Sequence, residues 1–426
     1  MDNTHSPKIM LSKVALFIMP RSSRSWEGSE ALWITVGGWA AAAQLKFGKA
    51  YVLTTDCLAS PKEILDYPLG ETDSKSTNGK SKYPFIPQFL ITLIKDILLW
   101  RSFHDKSNFS YTIPDVSEGV SMIWEQHDLF SGSGRKIADK YKVPLIKYVH
   151  APQVWESKKW GVQRPIWGKW LEWIEAKNLK KANLVACVSQ EVAEKLIKMG
   201  VSPHKVMVSP MAVDPSLFEP KPESQELKEL IGIKDKFVIG WTGSFRSFHG
   251  LDLLVDAFEL AYNKNKVIHL LLVGDGLERP KIEKLVQDKG LTQAVTFIGR
   301  KKFKEIPAYV SIFDIAIVSA RNAKGFHYSP LKLREYMAAG KATLAPNAGE
   351  IPVVFRNDEH LILYNVGDIG DMAEKIFLLS TNLEKRNIIA QNGKSYILKL
   401  GTWDVELNKA LIKLKQINYE KIDSSA

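Results

Sequence analysis

The feature that most constrains the fold is a short apolar run, residues 315–318, followed by a loop and a helical pattern that ends at Gly340. Its length and β-branched content are typical of a strand buried in a parallel sheet. Ser329 is a favourable N-cap, Pro330 suits a first helical turn, and glycine commonly ends a helix. The sequence therefore predicts a strand, a loop and a helix that opens beside the strand's carboxyl end. Open α/β sheets bind ligands there, and free helix amides favour phosphate.

Length and composition restrict the class of protein. A chain of 426 residues is too long for one ordinary core and predicts two domains of about 200 residues each. Two cysteines, Cys57 and Cys187, give neither a disulfide framework nor a metal spacing, which favours a reducing compartment and predicts a cytoplasmic protein. No apolar run approaches the length of a membrane span.

The formal net charge of +11 predicts an acidic partner: nucleotide phosphates, an anionic membrane surface or nucleic acid. Residues 155–181 carry five tryptophans interleaved with basic residues, a pattern that suits a membrane interface or stacking on single-stranded nucleic acid. The interpretation that we favour from sequence is core packing of these tryptophans, and we expect the apolar helix at 85–100 to cover the sheet. Weak, reversible binding to anionic membranes, on the inner face of the plasma membrane, remains a second prediction.

Apolar runs between polar or glycine-bearing loops recur along both halves. They predict strands at residues 13–20, 51–55, 122–125, 145–149 and 184–189, and again at 237–241, 270–273, 295–298, 315–318 and 342–345. A Pro- and Glu-rich stretch at 219–229 indicates a linker between the two sets. The last helical pattern covers 403–417.

The segment SPLKLREYMAAG, residues 329–340, resembles the motif region of the family 4 retaining GT-B glycosyltransferases. In that family two glutamates separated by seven residues flank such a loop and helix. Glu335 matches the second glutamate, whereas His327 stands at the first, which is a departure. The resemblance continues over nearly the whole chain, including residues 184–200 and the interdomain segment 206–218.

The resemblance implies an α/β GT-B fold, in which two Rossmann-like domains face a central cleft. Residues 1–212 would form the acceptor-side domain and residues 213–402 the nucleotide-sugar-binding domain. A C-terminal helix, 403–420, would cross back and pack on the first domain.

The resemblance also assigns the cations of the donor diphosphate to the loop at Gly243. Many relatives place an arginine and a lysine where this chain has Ser244 and His249. Arg246 is therefore the predicted diphosphate contact, because a guanidinium grips phosphate oxygens bidentately, with His249 assisting. Lys332, near the start of the motif helix, is the second candidate. A solvated surface charge is the alternative for each of the two cations.

Other residues carry weaker assignments. Those that the resemblance places at the donor are Gly28, Gly299, Arg300, His327, Tyr328, Ser329, Leu331 and Glu335. Glu335 would accept hydrogen bonds from the ribose, while Gly299 and Arg300 would lie beside the base. His150, at the end of a predicted strand, would meet the transferred sugar or the acceptor hydroxyl; a hydrogen-bonded loop histidine is the alternative.

The implied activity is transfer of a hexose from a nucleoside-diphosphate sugar to a glycan or lipid-linked acceptor, with retention of configuration. Such a reaction serves polysaccharide or glycolipid synthesis. No acidic D-x-D pattern is present, so neither a metal nor another cofactor is expected. The alternatives are a GT-B epimerase or phosphorylase and a non-enzymatic protein that binds nucleic acid or membranes. Against nucleic acid, the sequence contains no RNA- or DNA-binding motif.

Overall fold

The computed structural model of the chain describes residues 13–22, 30–65, 87–105, 113–219 and 224–423. These residues form two α/β units, each built on one sheet. Gly28, predicted to contact the donor, lies outside the described residues.

The strands of the first half form one sheet. They are β1 Lys13–Ile18, β2 Gly48–Leu53, β3 Leu58–Ala59, β4 Val120–Gln126, β5 Leu145–Val149, β6 Leu184–Cys187 and β7 Val206–Val208. Among the described residues the order is β3-β2-β1-β4-β5-β6-β7, and β2–β3 is the antiparallel pair. β1 and β5 are almost wholly buried because helices cover both faces, which explains their continuous apolar sequences.

The strands of the second half form another sheet, which is wholly parallel. They are β8 Phe237–Thr242, β9 Ile268–Val273, β10 Val295–Gly299, β11 Ile315–Ile317, β12 Ala342–Pro346 and β13 Ile362–Tyr364. The described order, β10-β9-β8-β11-β12-β13, is that of a Rossmann sheet. It reverses between β8 and β11, so a crevice opens at the carboxyl ends of these two strands.

Helices cover both sheets. They are α1 Glu30–Phe47, α2 Pro61–Leu65, α3 Gln88–Asp105, α4 Ser133–Tyr141, α5 Gln153–Lys159, α6 Gly168–Lys180, α7 Gln190–Lys198, α8 Gln225–Leu230, α9 Leu251–Lys264, α10 Arg279–Asp288, α11 Ile306–Ser311, α12 Leu331–Ala338, α13 Ile351–Val354, α14 Ile369–Thr381, α15 Leu383–Leu400 and α16 Trp403–Asp423. Side-chain caps fix several starts: Ser189 Oγ accepts a hydrogen bond from the Val192 amide at the start of α7. Of the helices in the described ranges, none combines the length and apolarity that a bilayer span requires.

The last helix, α16, completes the core of the first domain. The ring of Trp403 lies 5.1 Å from that of Trp39 in α1. Gly38 makes room for this contact, since a Cβ there would lie 2.3 Å from Trp403 Nε1. The apolar stripe of α16 that is buried with the first sheet consists of Leu407, Ala410, Leu414 and Ile417. The predicted return of the C-terminal helix is confirmed.

The chain passes between the two domains at two adjacent places. Val213, leaving the first domain, pairs in parallel with Thr402, which returns to it. The Val213 amide donates a hydrogen bond of 3.1 Å to the Gly401 carbonyl. The boundary between residues 212 and 213 stays a prediction, and both crossings lie beside it.

Helix α3 does not cover the sheet as expected. None of its described residues belongs to the three hydrophobic cores. Ile94, Ile97 and Leu98 are 49–59% exposed, whereas Asp96 is buried. Asp96 accepts hydrogen bonds from Arg164 Nε at 2.7 Å and from Trp167 Nε1 at 2.9 Å. The helix thus turns its acid inward and its aliphatic side chains outward.

Core packing of the tryptophan-rich segment was also only partly right. Trp155 packs against the first core. The exposed fractions of Trp160, Trp170 and Trp173 are 63%, 56% and 58%, so the prediction is wrong for these three. Helical spacing of aromatic residues defines a stripe, but it does not say which face of the helix points at the protein.

Candidate functional site

The loops after β8, β9 and β10 fit together through glycines. The Gly243 amide donates to the Val273 carbonyl and the Gly274 amide donates to the Gly299 carbonyl, both at 2.9 Å. Gly243 and Gly274 have φ values of 142° and 143°. A Cβ on Gly274 would lie 1.8 Å from the Gly243 carbonyl oxygen. The two loops therefore pack backbone against backbone at this edge of the sheet, which only glycine allows.

Lys332 on α12 reaches this glycine loop. Its Nζ lies 3.9 Å above the ring of Trp241, the penultimate residue of β8. A Cβ on Gly243 would lie 2.6 Å from the same Nζ. Among the described residues this buried ammonium has no hydrogen-bond partner. Burial lowers the pKa of Lys332 to about 7, and Glu335 opposes the shift.

Glu335 is one turn further along α12, on the same face as Lys332. It is 6% exposed. Burial raises the pKa of its carboxyl group to about 7, with Lys332 acting in the opposite direction. The two groups therefore titrate near neutral pH. An anion bound at Lys332 would favour the charged form of the Lys332 amine.

Arg246 and His249 lie on the loop that follows Gly243. The side chain of Arg246 is exposed. The ring of His249 packs against Trp241 at 5.6 Å and Phe248 at 4.2 Å. Burial, together with Lys332 and Arg246, lowers the pKa of His249 to about 2. At neutral pH His249 therefore contributes a neutral ring, which leaves Arg246 and the protonated form of Lys332 as the cations that the site can offer.

His327 connects the two domains. Its Nδ1 lies 2.8 Å from the Gly325 carbonyl oxygen, and its Nε2 lies 3.1 Å from Glu156 Oε1 on α5. The Gly325 carbonyl and the Glu156 carboxylate are both hydrogen-bond acceptors. Its carbonyl accepts a hydrogen bond of 2.7 Å from Ser189 Oγ, and its ring lies 5.1 Å from that of Trp155.

The start of α12 differs from the prediction. The helix begins at Leu331, with Pro330 as its N-cap and no side-chain cap. The prediction of Ser329 as the cap is wrong, because its Oγ accepts from the Met211 amide at 3.1 Å and from Arg334 Nη1 at 2.8 Å. Leu331 packs against the core of the first domain. Ser329 thus connects the motif helix to the interdomain segment, and Leu331 packs it against the first domain.

Tyr328, Gly299 and Arg300 lie around the same edge of the sheet. The ring of Tyr328 lies 5.7 Å from that of Phe248, so it joins the loop before α12 to the loop after β8. Gly299 has a φ of 81°, and Arg279 Nη1 is 3.4 Å from the position of an added Cβ. Arg300 is partly buried, and burial lowers its pKa.

His150 follows β5 in the first domain. Its ring lies 5.3 Å from that of Tyr148. Its Nε2 is buried and, within the described ranges, without a hydrogen-bond partner. Burial, with a smaller contribution from His127, lowers its pKa to about 4, so the ring is neutral at pH 7. The contacts described for His150 do not reach the second domain.

Two residues of the candidate site were not predicted from the sequence. Trp241 forms the aromatic face under Lys332, and its position directly before the loop was an available signal. Glu156 pairs with His327 across 171 positions, for which the sequence carries no local signal. In the part of the chain that the structure describes, no group of three or more His, Cys, Asp or Glu side chains could hold a metal ion.

Two protein-family descriptions match the chain. Residues 123–217 match Glycosyltransferase Family 4, and residues 223–396 match Glycosyl transferases group 1. Two successive segments of the chain are thus similar to glycosyltransferases. The second match includes the Gly243 loop and α12, so the site lies within the segment that is similar to glycosyltransferases.

Curated relatives share part of their length with this chain. An uncharacterized glycosyltransferase of Methanocaldococcus jannaschii is 28% identical over 178 residues, which cover 42% of this chain and 48% of that protein. Alpha-D-kanosaminyltransferase of Streptomyces kanamyceticus is 19% identical over 256 residues, 59% of this chain and 64% of the relative. The chain thus spans about half to two thirds of the length of these two relatives.

Solved structures of similar fold cover nearly the whole chain. Anabaena HepE, crystallised with UDP-glucose, has a TM-score of 0.61 at 17% identity, covering 96% of this chain and 99% of its own. A glycosyltransferase from Rickettsia africae has a TM-score of 0.62 at 15% identity, covering 95% and 98%. These likenesses confirm the predicted GT-B fold.

Proposed function

We propose that the protein transfers a hexose from a nucleoside-diphosphate sugar to an acceptor hydroxyl, with retention of configuration. The donor diphosphate lies at the Gly243 loop under Lys332 and Arg246, and the ribose lies at Glu335. The acceptor, a glycan or a lipid-linked sugar for polysaccharide or glycolipid synthesis, enters from the first domain near His150.

The observation that carries the proposal is the buried, unpartnered Nζ of Lys332 beside a backbone-lined loop. A buried ammonium without a partner is costly, so its position favours an anion as the missing partner. The backbone approach at Gly243 and Gly274 suits phosphate oxygens, and Arg246 supplies a second cation at the rim. A diphosphate would satisfy all three features.

The chemistry follows from where charge develops. As the bond between the anomeric carbon and the phosphate oxygen breaks, negative charge grows on the leaving diphosphate, and Lys332 and Arg246 stabilise it. The acceptor oxygen forms the new bond from the same face, and its proton passes to the departing phosphate oxygen. This front-face route accounts for retention without a protein nucleophile and assigns no step to a metal.

His150 would orient the acceptor or the transferred sugar. Its neutral ring carries one unsatisfied, buried nitrogen at the carboxyl end of β5, which suits a hydrogen bond to a hydroxyl. The names of other relatives support the donor class: a Mycobacterium tuberculosis relative, 23% identical over 199 residues, is a GDP-mannose-dependent mannosyltransferase.

The proposal is tested first by thermal shift with UDP, GDP and ADP, since a ligand that binds the folded state raises the melting temperature. We expect one of them to stabilise the protein strongly. If none stabilises it, the diphosphate assignment fails. If one of them binds but no hexose is transferred from the corresponding sugar nucleotide, the hypothesis of a GT-B epimerase or phosphorylase replaces that of a transferase.

Arg246→Ala is expected to weaken binding of the nucleoside diphosphate by about 1.5 kcal/mol while leaving the free nucleoside unaffected, because only the diphosphate meets the guanidinium. Calorimetry with both ligands measures the difference. Arg356→Ala removes another exposed arginine, 110 positions further along the sequence in the same domain, and serves as the control. Equal losses for diphosphate and nucleoside would remove Arg246 from the phosphate site.

Glu335→Ala and His327→Ala are expected to act differently. The first should lower nucleotide affinity by about 1–3 kcal/mol, because it removes a carboxylate acceptor from the ribose. The second should leave nucleotide affinity nearly intact and change turnover or sugar preference, since His327 is engaged with Glu156 of the first domain. Nucleotide binding by both variants decides: loss with His327→Ala and retention with Glu335→Ala would reverse the assignment.

A further inference from the structure

Many large apolar side chains are exposed on α3 and in the α5–α6 region, a surface that we call the aromatic face. Its exposed large apolar residues are Phe89, Leu90, Ile94, Ile97, Leu98, Trp100, Trp160, Ile166, Trp170 and Trp173. Residues 90, 94, 97, 98 and 101 follow one stripe of α3, and Trp170, Trp173 and Lys177 follow one stripe of α6. The face therefore combines two helical stripes rather than scattered side chains.

The two helices are held together by polar contacts underneath. Asp96 of α3 accepts hydrogen bonds from Arg164 Nη2 at 3.0 Å and from Trp167 Nε1 at 2.9 Å, both from the segment that leads into α6. Buried Asp96 with outward Ile94, Ile97 and Leu98 is the reverse of an ordinary surface helix. The arrangement fixes the apolar side chains outward, which suits an apolar partner.

The unpaired charge on the aromatic face is positive. In the described residues 88–103 and 155–181, every acid is paired: Asp96 with Arg164, Glu156 with His327, Glu172 with Lys195 and Glu175 with His127. In the same described ranges, the exposed basic residues without an ion pair are Lys95, Arg101, Lys158, Lys169, Lys177, Lys180 and Lys181. Lys177 Nζ also lies 5.2 Å above the Trp173 ring. The face presents uncompensated positive charge around exposed indoles.

We propose that the aromatic face docks the protein on an anionic lipid bilayer, with the tryptophans and the α3 aliphatic residues in the interface and the lysines at the headgroups. Indoles favour the headgroup level of a membrane, and basic residues are attracted to anionic lipid. A second copy of the same chain would bring like charges together, which disfavours it as the occupant. This inference does not depend on the proposed sugar transfer.

The test is co-sedimentation of the intact protein with vesicles of phosphatidylcholine containing about 30 mol% phosphatidylglycerol, at low and at raised salt. We expect binding to these vesicles and much weaker binding to phosphatidylcholine alone. Trp170→Ser/Trp173→Ser and Lys169→Glu/Lys177→Glu should each reduce binding roughly tenfold. These side chains are exposed, so unchanged melting temperatures will show that both variants fold.

Leu277→Ser is the matched control, because Leu277 is 79% exposed on the second domain. Unchanged binding by this variant supports the proposal. Absence of binding by the wild type, or an equal loss with Leu277→Ser, overturns it. So does a dimer in light scattering that Ile97→Ser dissociates while vesicle binding stays unchanged, since the face would then bind a second copy.

Discussion

Lys332→Met is expected to raise the melting temperature of the empty protein at neutral pH and to remove most of its affinity for nucleoside diphosphates. Methionine keeps the packing of the side chain on Trp241 but needs no partner for a buried charge. Affinity should fall by roughly 2–3 kcal/mol, because a charge-assisted contact is lost. Melting curves with and without the nucleotide that binds the wild type measure both effects.

The pKa shifts of Lys332 and Glu335 determine how the free energy of unfolding changes with pH. Burial lowers the pKa of Lys332 from 10.5 to about 7. Between these values the unfolded chain holds a proton that the folded protein lacks, so the free energy of unfolding rises with pH. For Glu335, whose pKa is raised from 4.5 to about 7, stability falls as pH rises through that interval. The pair therefore makes the empty protein least stable near neutral pH.

The stability advantage of Lys332→Met should therefore shrink as pH rises from about 7 towards 10. Lys284→Met is the control, since it removes one positive charge from an exposed position on α10. An advantage that stays constant with pH, or that Lys284→Met reproduces, would contradict the buried ammonium. Unchanged diphosphate binding by Lys332→Met would contradict its role at the donor.

Gly274→Ala is expected to cost several kcal/mol, roughly 3 or more, in the free energy of unfolding and to abolish diphosphate binding. The added methyl group would lie 1.8 Å from the Gly243 carbonyl oxygen. That neighbour is backbone, so relief requires moving the loop at which we propose that the diphosphate binds. Denaturant unfolding and nucleotide calorimetry measure the two losses.

Gly290→Ala separates backbone strain from steric overlap. Gly290 also has a positive φ, 67°, but nothing lies within 4 Å of an added Cβ. We expect about 1 kcal/mol of destabilisation there and normal nucleotide binding. Equal effects of the two substitutions would show that the contact between Gly243 and Gly274 is not what holds the loops in place.

The sheets could be predicted because buried parallel strands are near-continuous apolar runs. β5, Leu145–Val149, has the bounds that the sequence predicts, and the other predicted strands are shifted by a few residues. The strands that were not predicted, β3, β7 and β13, have only two or three residues. β11 is equally short but lies in an apolar run that continues to Val318. The orientation of the helices could not be predicted. The periodicity of α3, and that of Trp170 and Trp173, is the same whether the apolar stripe faces a core or solvent.

The site was predictable in part for a related reason. Glycines 243 and 299 mark turns at strand ends, and the segment at 329–340 places Lys332 and Glu335 on one helix face. The hydroxyl of Ser329 was misassigned because its partner, the Met211 amide, is 118 positions away. The loss of charge on His249 depends on burial and on Lys332, which no local pattern encodes.

The pairing of Val213 with Thr402 has a consequence for biosynthesis. The second domain is inserted within the first, which is therefore discontinuous in the chain. A ribosome releases residues 213–401 before α16, so the second domain can finish folding while the first still exposes the surface meant for Trp403, Leu407 and Leu414. The first domain therefore acquires its full core last, after the second domain has folded.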